Sequence, residues 1–165
     1  MQARKVWRPW TPSESLIASI WMYQKYRSRN GPWAALLRML ASARHVFWSI
    51  VTASDIPRTA TLGKRLCLPH PTGVVIHRDA VIGDDCILMQ QVTLGQLTEP
   101  GAPVIGSNVY IGAGAKVLGD ITVGDGARIG ANAVVLSNVP PQCTVVGIPA
   151  QIVRSRNDES KSQIG

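Results

Sequence analysis

Phenylalanine is almost absent: Phe47 stands alone among 165 residues, against five tryptophans and fifteen glycines. With so little aromatic filler the core must be aliphatic, and abundant Gly, Val and Ile point to many short strands joined by tight corners rather than to a helical bundle. Cysteine is sparse as well. Cys67, Cys86 and Cys143 are an odd number at irregular spacing, with no CxxC and no Cys/His cluster, which argues against a disulfide framework and favours a reduced cytosolic chain. Long uninterrupted apolar runs are missing too. The longest, Trp33 to Ala53, is broken by Arg38, Arg44 and His45, which a membrane-spanning helix tolerates poorly. No signal-peptide pattern follows the basic N-terminus, because Glu14 and Lys25 fall where an apolar stretch would be needed.

Acidic residues are nearly missing from the first 54 positions, where eight Lys or Arg (Arg4, Lys5, Arg8, Lys25, Arg27, Arg29, Arg38, Arg44) face only Glu14. The remaining 111 residues hold nine charges of each sign, so the whole net charge of +7 sits in the first third. The length suits one compact domain with an appendage. In that appendage Thr11-Pro12-Ser13-Glu14 predicts a helix start, with Thr11 as cap, Pro12 in the first turn and Glu14 reaching back to the Thr11 N–H. Leu16, Ile17, Ile20 and Trp21 fall on one face of that helix. Asn30-Gly31-Pro32 separates it from a second helix, about Trp33 to Val51, with Leu36, Leu37, Leu40, Val46, Phe47 and Ile50 as its apolar positions. Two readings of this basic region are open. Either the helices cap the following domain with their charges solvated, or they touch an anionic membrane surface or an anionic lipid-linked substrate.

After Ser54 the texture changes to a six-residue period. Aliphatic residues stand at Ile56, Leu62 and Leu68, then at Ile76, Ile82, Leu88 and Leu94, then at Ile105, Ile111, Val117, Val123, Ile129 and Val135. Smaller residues recur four places later (Ala60, Ala80, Cys86, Ala115, Ala127, Ala133), and Gly often follows the aliphatic position. This is a hexapeptide β-helix pattern: each hexad is one short strand and one corner, and about eighteen residues close a three-sided coil. Glycine is expected to relax the corner backbone. Two interruptions break the register. Eight residues separate Leu68 from Ile76, with the two-residue insertion expected at Gly73 to Val75. Eleven separate Leu94 from Ile105, and Gly95 to Gly101 reads as a loop thrown out of the coil. Pro140-Pro141 is expected to end the regular repeats, Val146 to Ala150 to form a final turn, and the polar tail from Ser155 to be disordered. The division expected is 1–54 helical, 55–154 β-helix and 155–165 tail.

His70 is the residue in this scaffold that points to chemistry. Pro69 and Pro71 fix the backbone on both sides of it and pose the imidazole rather than bury it. Register places Leu68, Leu88, Ile111 and Ile129 on one face, so that His70, Gln90, Ala113 and Ala131 should form a file about 14 Å long, at about 4.8 Å per coil. One end titrates and the other is small and smooth, as a groove for an extended thioester arm would be. Lys116 and Arg128, each at the corner ending a hexad, are placed to meet phosphates or else are solvated corner charges. His77 is expected to point outward, and His45 has no evident partner. The three histidines lack metal-ligand spacing, so no metal is expected.

On these motifs the segment from Asp55 to Val153 resembles the hexapeptide acyltransferases of the serine acetyltransferase type. The residues that carry the likeness are Asp55-Ile56, Pro69 to Val75, Gln90 to Gly95, Ile111 to Lys116, and Val139-Pro140-Pro141 through Gly147-Ile148-Pro149-Ala150. The resemblance implies a left-handed parallel β-helix, a homotrimer with acetyl-CoA as co-substrate between subunits, and a catalytic dyad of His70 and Asp55, fifteen residues apart. Gln90, Gly95, Ala113, Lys116, Arg128 and Ala131 are the residues expected to bind acetyl-CoA, and no nucleic-acid partner is expected. Two departures concern the acceptor. The family has Asp where this chain has Pro69, and an Arg-His pair where it has Gly101-Ala102 before Pro103. Those groups hold an amino acid, and Pro, Gly and Ala supply no clamp for carboxylate and ammonium. The short basic helical N-terminus before the β-helix resembles instead the acetyltransferases of exopolysaccharide pathways, including the colanic acid type, which act on sugar hydroxyls. The expectation is therefore acetyl transfer to a sugar or polysaccharide precursor. Serine O-acetylation is the alternative and a noncatalytic scaffold the second. The expected location is cytoplasmic, with contact at the inner membrane face left open.

Overall fold

The computed structural model describes residues 11–98 and 100–155. Expectations for Arg4, Lys5, Trp7, Arg8, Trp10, Glu99 and the tail after residue 155 lie outside them. The chain begins with α1 (Pro12–Arg27) and α2 (Pro32–Thr52). Thirteen strands follow: β1 (Thr61–Leu62), β2 (Val75–Ile76), β3 (Val81–Ile82), β4 (Ile87–Leu88), β5 (Thr93–Gly95), β6 (Val104–Ile105), β7 (Tyr110–Ile111), β8 (Lys116–Leu118), β9 (Thr122–Val123), β10 (Arg128–Ile129), β11 (Val134–Val135), β12 (Cys143–Gly147) and β13 (Ala150–Ser155).

The strands stack into three parallel sheets, which are the faces of a prism. Face one is β1-β3-β6-β9, face two is β4-β7-β10-β12, and face three is β2-β5-β8-β11. Isolated bridges extend two of them toward the N-terminus, Cys67 to Ile87 on face two and Asp55 to Val75 on face three. Ile111 stacks on Ile129, eighteen residues on, as one undisturbed coil requires. The predicted aliphatic column is the core: Leu68, Ile76, Ile82, Leu88, Leu94, Ile105, Ile111 and Ile129 are all fully buried. Each such side chain contributes about 1.5–3 kcal/mol by leaving water.

Glycine has a different task from the one expected. Gly63, Gly83 and Gly106 follow the aliphatic position with ordinary φ, but a Cβ on Gly83 would stand 2.6 Å from the Gly106 carbonyl carbon in the next coil. These glycines let neighbouring backbones approach. The left-handed corner positions are mostly taken by other residues, among them Arg65, Asp85, Gln91, Asn108 and Asn132. Carboxylates satisfy exposed corner donors: the Lys64 and Ser107 N–H groups donate to Asp84 and Asp125 Oδ1, each at 2.7 Å.

Helix α1 plugs the open N-terminal end. Leu16, Ile17 and Ile20 join Ile56, Ala60 and Leu62 in one core cluster, with Trp21 packed against it. The expected cap is not made: Thr11 forms no side-chain cap bond, and Thr11 Oγ1 and Glu14 Oε2 are buried without partners among the described residues. Helix α2 also departs from expectation. It packs along α1 and buries the small residues Ala34 and Ala41, so its large residues Leu36, Leu40, Val46, Phe47 and Ile50 face outward. Close helix packing selects the small side. Arg38 is not a free cation, since its Nη1 caps α1 through the Arg27 and Arg29 carbonyls at 3.2 and 3.3 Å. His45, for which no partner was expected, lies 2.8 Å from the Ile56 carbonyl and ties α2 to the first coil. No helix among the described residues is long and apolar enough to cross a membrane.

At the other end the coil continues beyond Pro140-Pro141, because β12 stacks on β10. The predicted turn at Val146 to Ala150 joins β12 to β13 as an antiparallel hairpin, and Ser155, expected to open the tail, pairs with Cys143. Gly83→Ala should lower stability by about 1–3 kcal/mol, because the added methyl meets backbone rather than a movable side chain; denaturant unfolding checks this.

Candidate active site

The chain turns from face two to face three at one edge of the prism, and every coil passes there. The position two residues after Leu88, Ile111 and Ile129 is Gln90, Ala113 and Ala131, and backbone bonds join these corners in series. The Gly114 N–H donates to the Gln90 carbonyl at 2.9 Å, and the Asn132 N–H to Ala113 at 2.8 Å. This much of the expected file is present.

His70 is not in it. The Gln91 N–H donates to the Thr72 carbonyl at 2.9 Å, so by the same register Thr72, not His70, lies over Gln90. Strand β2 then pairs with β5 without disturbance, Val75 with Thr93 and Ile76 with Leu94. Upstream, Cys67 is still in register with Ile87. The two extra residues therefore fall within Pro69 to Pro71, not within Gly73 to Val75. The physical reason is that Val74 is a buried core residue and Val75 a paired strand residue, whereas Pro69 and Pro71 have no N–H to offer a neighbouring coil. The insertion pushes His70 out of the stack into solvent, where it is exposed.

Asp55 starts face three one coil earlier. Its N–H donates to the Val74 carbonyl and its carbonyl accepts from the Ile76 N–H, both at 2.9 Å. Since Ile56 points inward, Asp55 points outward, and it too is exposed. His70 and Asp55, the expected dyad, thus belong to adjacent rungs at the same edge. Among the described residues neither side chain has a hydrogen-bond partner.

The other predicted residues divide. Gln90 has a buried Oε1 without a partner among the described residues. Lys116 and Arg128 are not corner residues: each opens a strand, β8 on face three and β10 on face two, so they flank this edge from its two sides. Lys116 Nζ donates to the Gly114 carbonyl at 3.3 Å, and the Arg128 guanidinium lies 4.9 Å from the Tyr110 ring centroid. Gly95 lies away from the file, at the end of β5, where its carbonyl accepts from the Gly119 N–H at 2.9 Å. The extruded loop that follows folds over the coil, with Leu97 against Gly119 and Gly101 against Asp120. His77 points outward as expected, its Nδ1 accepting from the Asp79 N–H at 3.3 Å.

Ser54 escaped the sequence reading. It is buried, 7 % exposed, and its hydroxyl donates to the Pro71 carbonyl at 2.5 Å. The signal available was a polar residue between the end of an apolar helix and the first hexad. Cys86 is the opposite case, a nucleophile by type but not by setting. Burial pushes its thiol pKa up, and Sγ donates to the Gly106 carbonyl at 3.0 Å. Among the described residues no three His, Cys, Asp or Glu gather closely enough to hold a metal ion.

These coils define the class: a parallel β-helix of hexapeptide repeats. The family described as "Bacterial transferase hexapeptide (six repeats)" matches residues 102–137. Within that class the chain is similar to the serine acetyltransferases. It is 47% identical to the serine acetyltransferase of Mycobacterium tuberculosis over 131 residues, 78% of this chain and 57% of the relative. To that of Escherichia coli (strain K12) it is 42% identical over 142 residues, 84% and 52% of the two chains. A solved serine acetyltransferase in complex with cysteine superposes with a TM-score of 0.76 at 34% identity, over 90% of this chain and 57% of that one. One in complex with CoA gives 0.73 at 35%, over 87% and 58%. The chain spans about half the length of the curated relatives it matches. The expected kinship with exopolysaccharide enzymes finds no support in these relatives, which are named serine acetyltransferase.

The corner beside the insertion depends on one backbone conformation. Gly73 has φ +71°, and a Cβ there would approach Gln91 Cγ to 3.2 Å. Gly73→Ala should cost about 1–2 kcal/mol of stability from the left-handed φ alone, read as a lowered midpoint of thermal unfolding.

Proposed function

We propose that this chain is an acetyl-CoA-dependent O-acetyltransferase, wound as a left-handed β-helix over residues 55–154 behind a helical region of residues 1–54. The observation that carries the reading is that His70 and Asp55 are both exposed on adjacent rungs at one edge, beside the file of Gln90, Ala113 and Ala131, in a chain 47% identical to a serine acetyltransferase. His70 takes the proton of the acceptor hydroxyl as that oxygen attacks the acetyl carbonyl, and Asp55 orients the imidazole. The tetrahedral oxyanion is held by backbone N–H groups at the edge. Collapse breaks the C–S bond, the proton passes from His70 to the departing thiolate, and the acetyl ester and CoA leave. No covalent enzyme intermediate is required.

In this reading CoA lies along the edge, with its thiol end at His70 and its phosphates near Lys116 and Arg128. The edge is open in the single chain, which supports a homotrimer in which a second copy closes each site. The acceptor is L-serine, on the strength of the relatives. A sugar hydroxyl is the second reading, favoured by one feature: Pro69 and Gly101-Ala102 stand where charged groups would clamp an amino acid. One assay with acetyl-CoA separates them. O-acetylserine formation establishes the first; no turnover of L-serine with turnover of a sugar establishes the second. Acetylation of neither, with no CoA binding at millimolar concentration, leaves a noncatalytic scaffold.

His70→Ala should lower kcat by two or more orders of magnitude with the fold intact, and undiminished activity would sink the assignment. Asp55→Asn should reduce kcat more than it weakens CoA binding. The outward face of α2, where Trp33 is 76% and Ile50 75% exposed, together with the exposed Arg44 on the same helix, supports a peripheral contact with an anionic membrane. Co-sedimentation with anionic vesicles at low salt tests it: binding that Ile50→Glu abolishes is expected, and no binding removes the contact.

A further inference from the structure

The two-residue insertion that carries His70 has no rung of its own to stack on. Pro69 and Pro71 have no N–H, and among the described residues no backbone hydrogen bond holds His70 itself. What fixes the segment lies just after it. The Val74 N–H donates to the Pro71 carbonyl at 3.2 Å, closing a turn, and the Gly73 N–H donates to the Ala53 carbonyl at 2.9 Å. The Ser54 hydroxyl donates to the same Pro71 carbonyl at 2.5 Å. Ala53 and Ser54 are themselves held by the end of α2: Ala53 is left-handed at φ 49°, and the Ser54 N–H donates to the Ser49 carbonyl at 3.1 Å.

We infer that Ser54 is a positioning residue for His70: its buried hydroxyl ties the carbonyl one residue after His70 to the residue one before Asp55, and so sets the imidazole against the carboxylate. The inference rests on His70 acting as the general base with Asp55 as its orienter. Adjacency gives it force. Ser54 directly precedes Asp55 and Pro71 directly follows His70, and the Ser54 hydroxyl joins these two neighbours by one hydrogen bond. Without it the bonds from the Gly73 N–H to Ala53 and from the Asp55 N–H to Val74 still join the two rungs, but the Pro71 carbonyl keeps only its turn bond from the Val74 N–H, and the imidazole samples positions away from the carboxylate. Misplacing a reacting group by about 1 Å can cost up to about 100-fold in rate.

The test is steady-state kinetics of Ser54→Ala on the full chain, using whichever acceptor the wild type turns over. About a tenfold loss of kcat is expected, with the KM for acetyl-CoA unchanged. In an Asp55→Asn background Ser54→Ala should have little further effect, since the pair acts through one geometry. Ser54→Thr, which keeps the hydroxyl, should restore most of the rate, and Ser54→Cys, of similar size with a weaker donor, should fall between. An unchanged kcat, or the same fold-loss with and without the Asp55 carboxylate, would overturn the inference. Should Ser54→Ala not fold, the Thr and Cys variants decide: equal kcat in both overturns it. Activity surviving His70→Ala would instead refute the base assignment, which keeps the two failures apart.

Discussion

The whole molecule depends on coil-on-coil register: each short strand bonds to the equivalent strand about eighteen residues on, while its one inward aliphatic side chain lands on the column beneath. Strands of two or three residues have no stability of their own. They persist because hydrogen bonds along the prism faces and the column of Leu, Ile and Val side chains are satisfied by the same stacking. The glycines that follow the aliphatic positions serve this arrangement, since they let one coil sit against the next. Helix α1 closes the column at one end and the β12–β13 hairpin continues face two at the other.

Register also makes the exceptions meaningful. A repeat so strict has little room for a reactive side chain, because inward positions are sealed and outward positions on the faces are spread apart. The insertion at Pro69 to Pro71 solves this locally. It lifts His70 off the edge while Leu68 below it and Ile76 beyond it remain in the column. The cost is a segment in which no backbone hydrogen bond holds His70 among the described residues, and the grip of Ala53 and Ser54 compensates. The N-terminal helices are therefore not merely a plug, since the end of α2 reaches the corner that carries His70.

Much of this was legible in the sequence. The six-residue period gave the aliphatic column residue by residue, as well as the face shared by Leu68, Leu88, Ile111 and Ile129, because inward and outward alternation is written directly into hydropathy. The position of the two extra residues was not. Spacing counts how many residues leave a register but not which ones, and only the bond from the Gln91 N–H to Thr72 shows that His70 left. The exposed side of α2 was hidden for a related reason. Its pattern shows an apolar face, yet Ala34 and Ala41 pack more closely on α1 than Leu40 or Phe47 would, so the larger face turned outward. The acceptor is least legible, because Pro69 and Gly101-Ala102 offer no charged side chain that would mark one.

The central claim is that the edge between faces two and three is a CoA groove ending at the His70 insertion. A crystal structure of the full chain with CoA tests it most directly. The account predicts CoA lying along Gln90, Ala113 and Ala131 at a boundary between two copies, with its sulfur within reach of the His70 imidazole. CoA bound on another edge, or with its sulfur at the far end of the file, would contradict it.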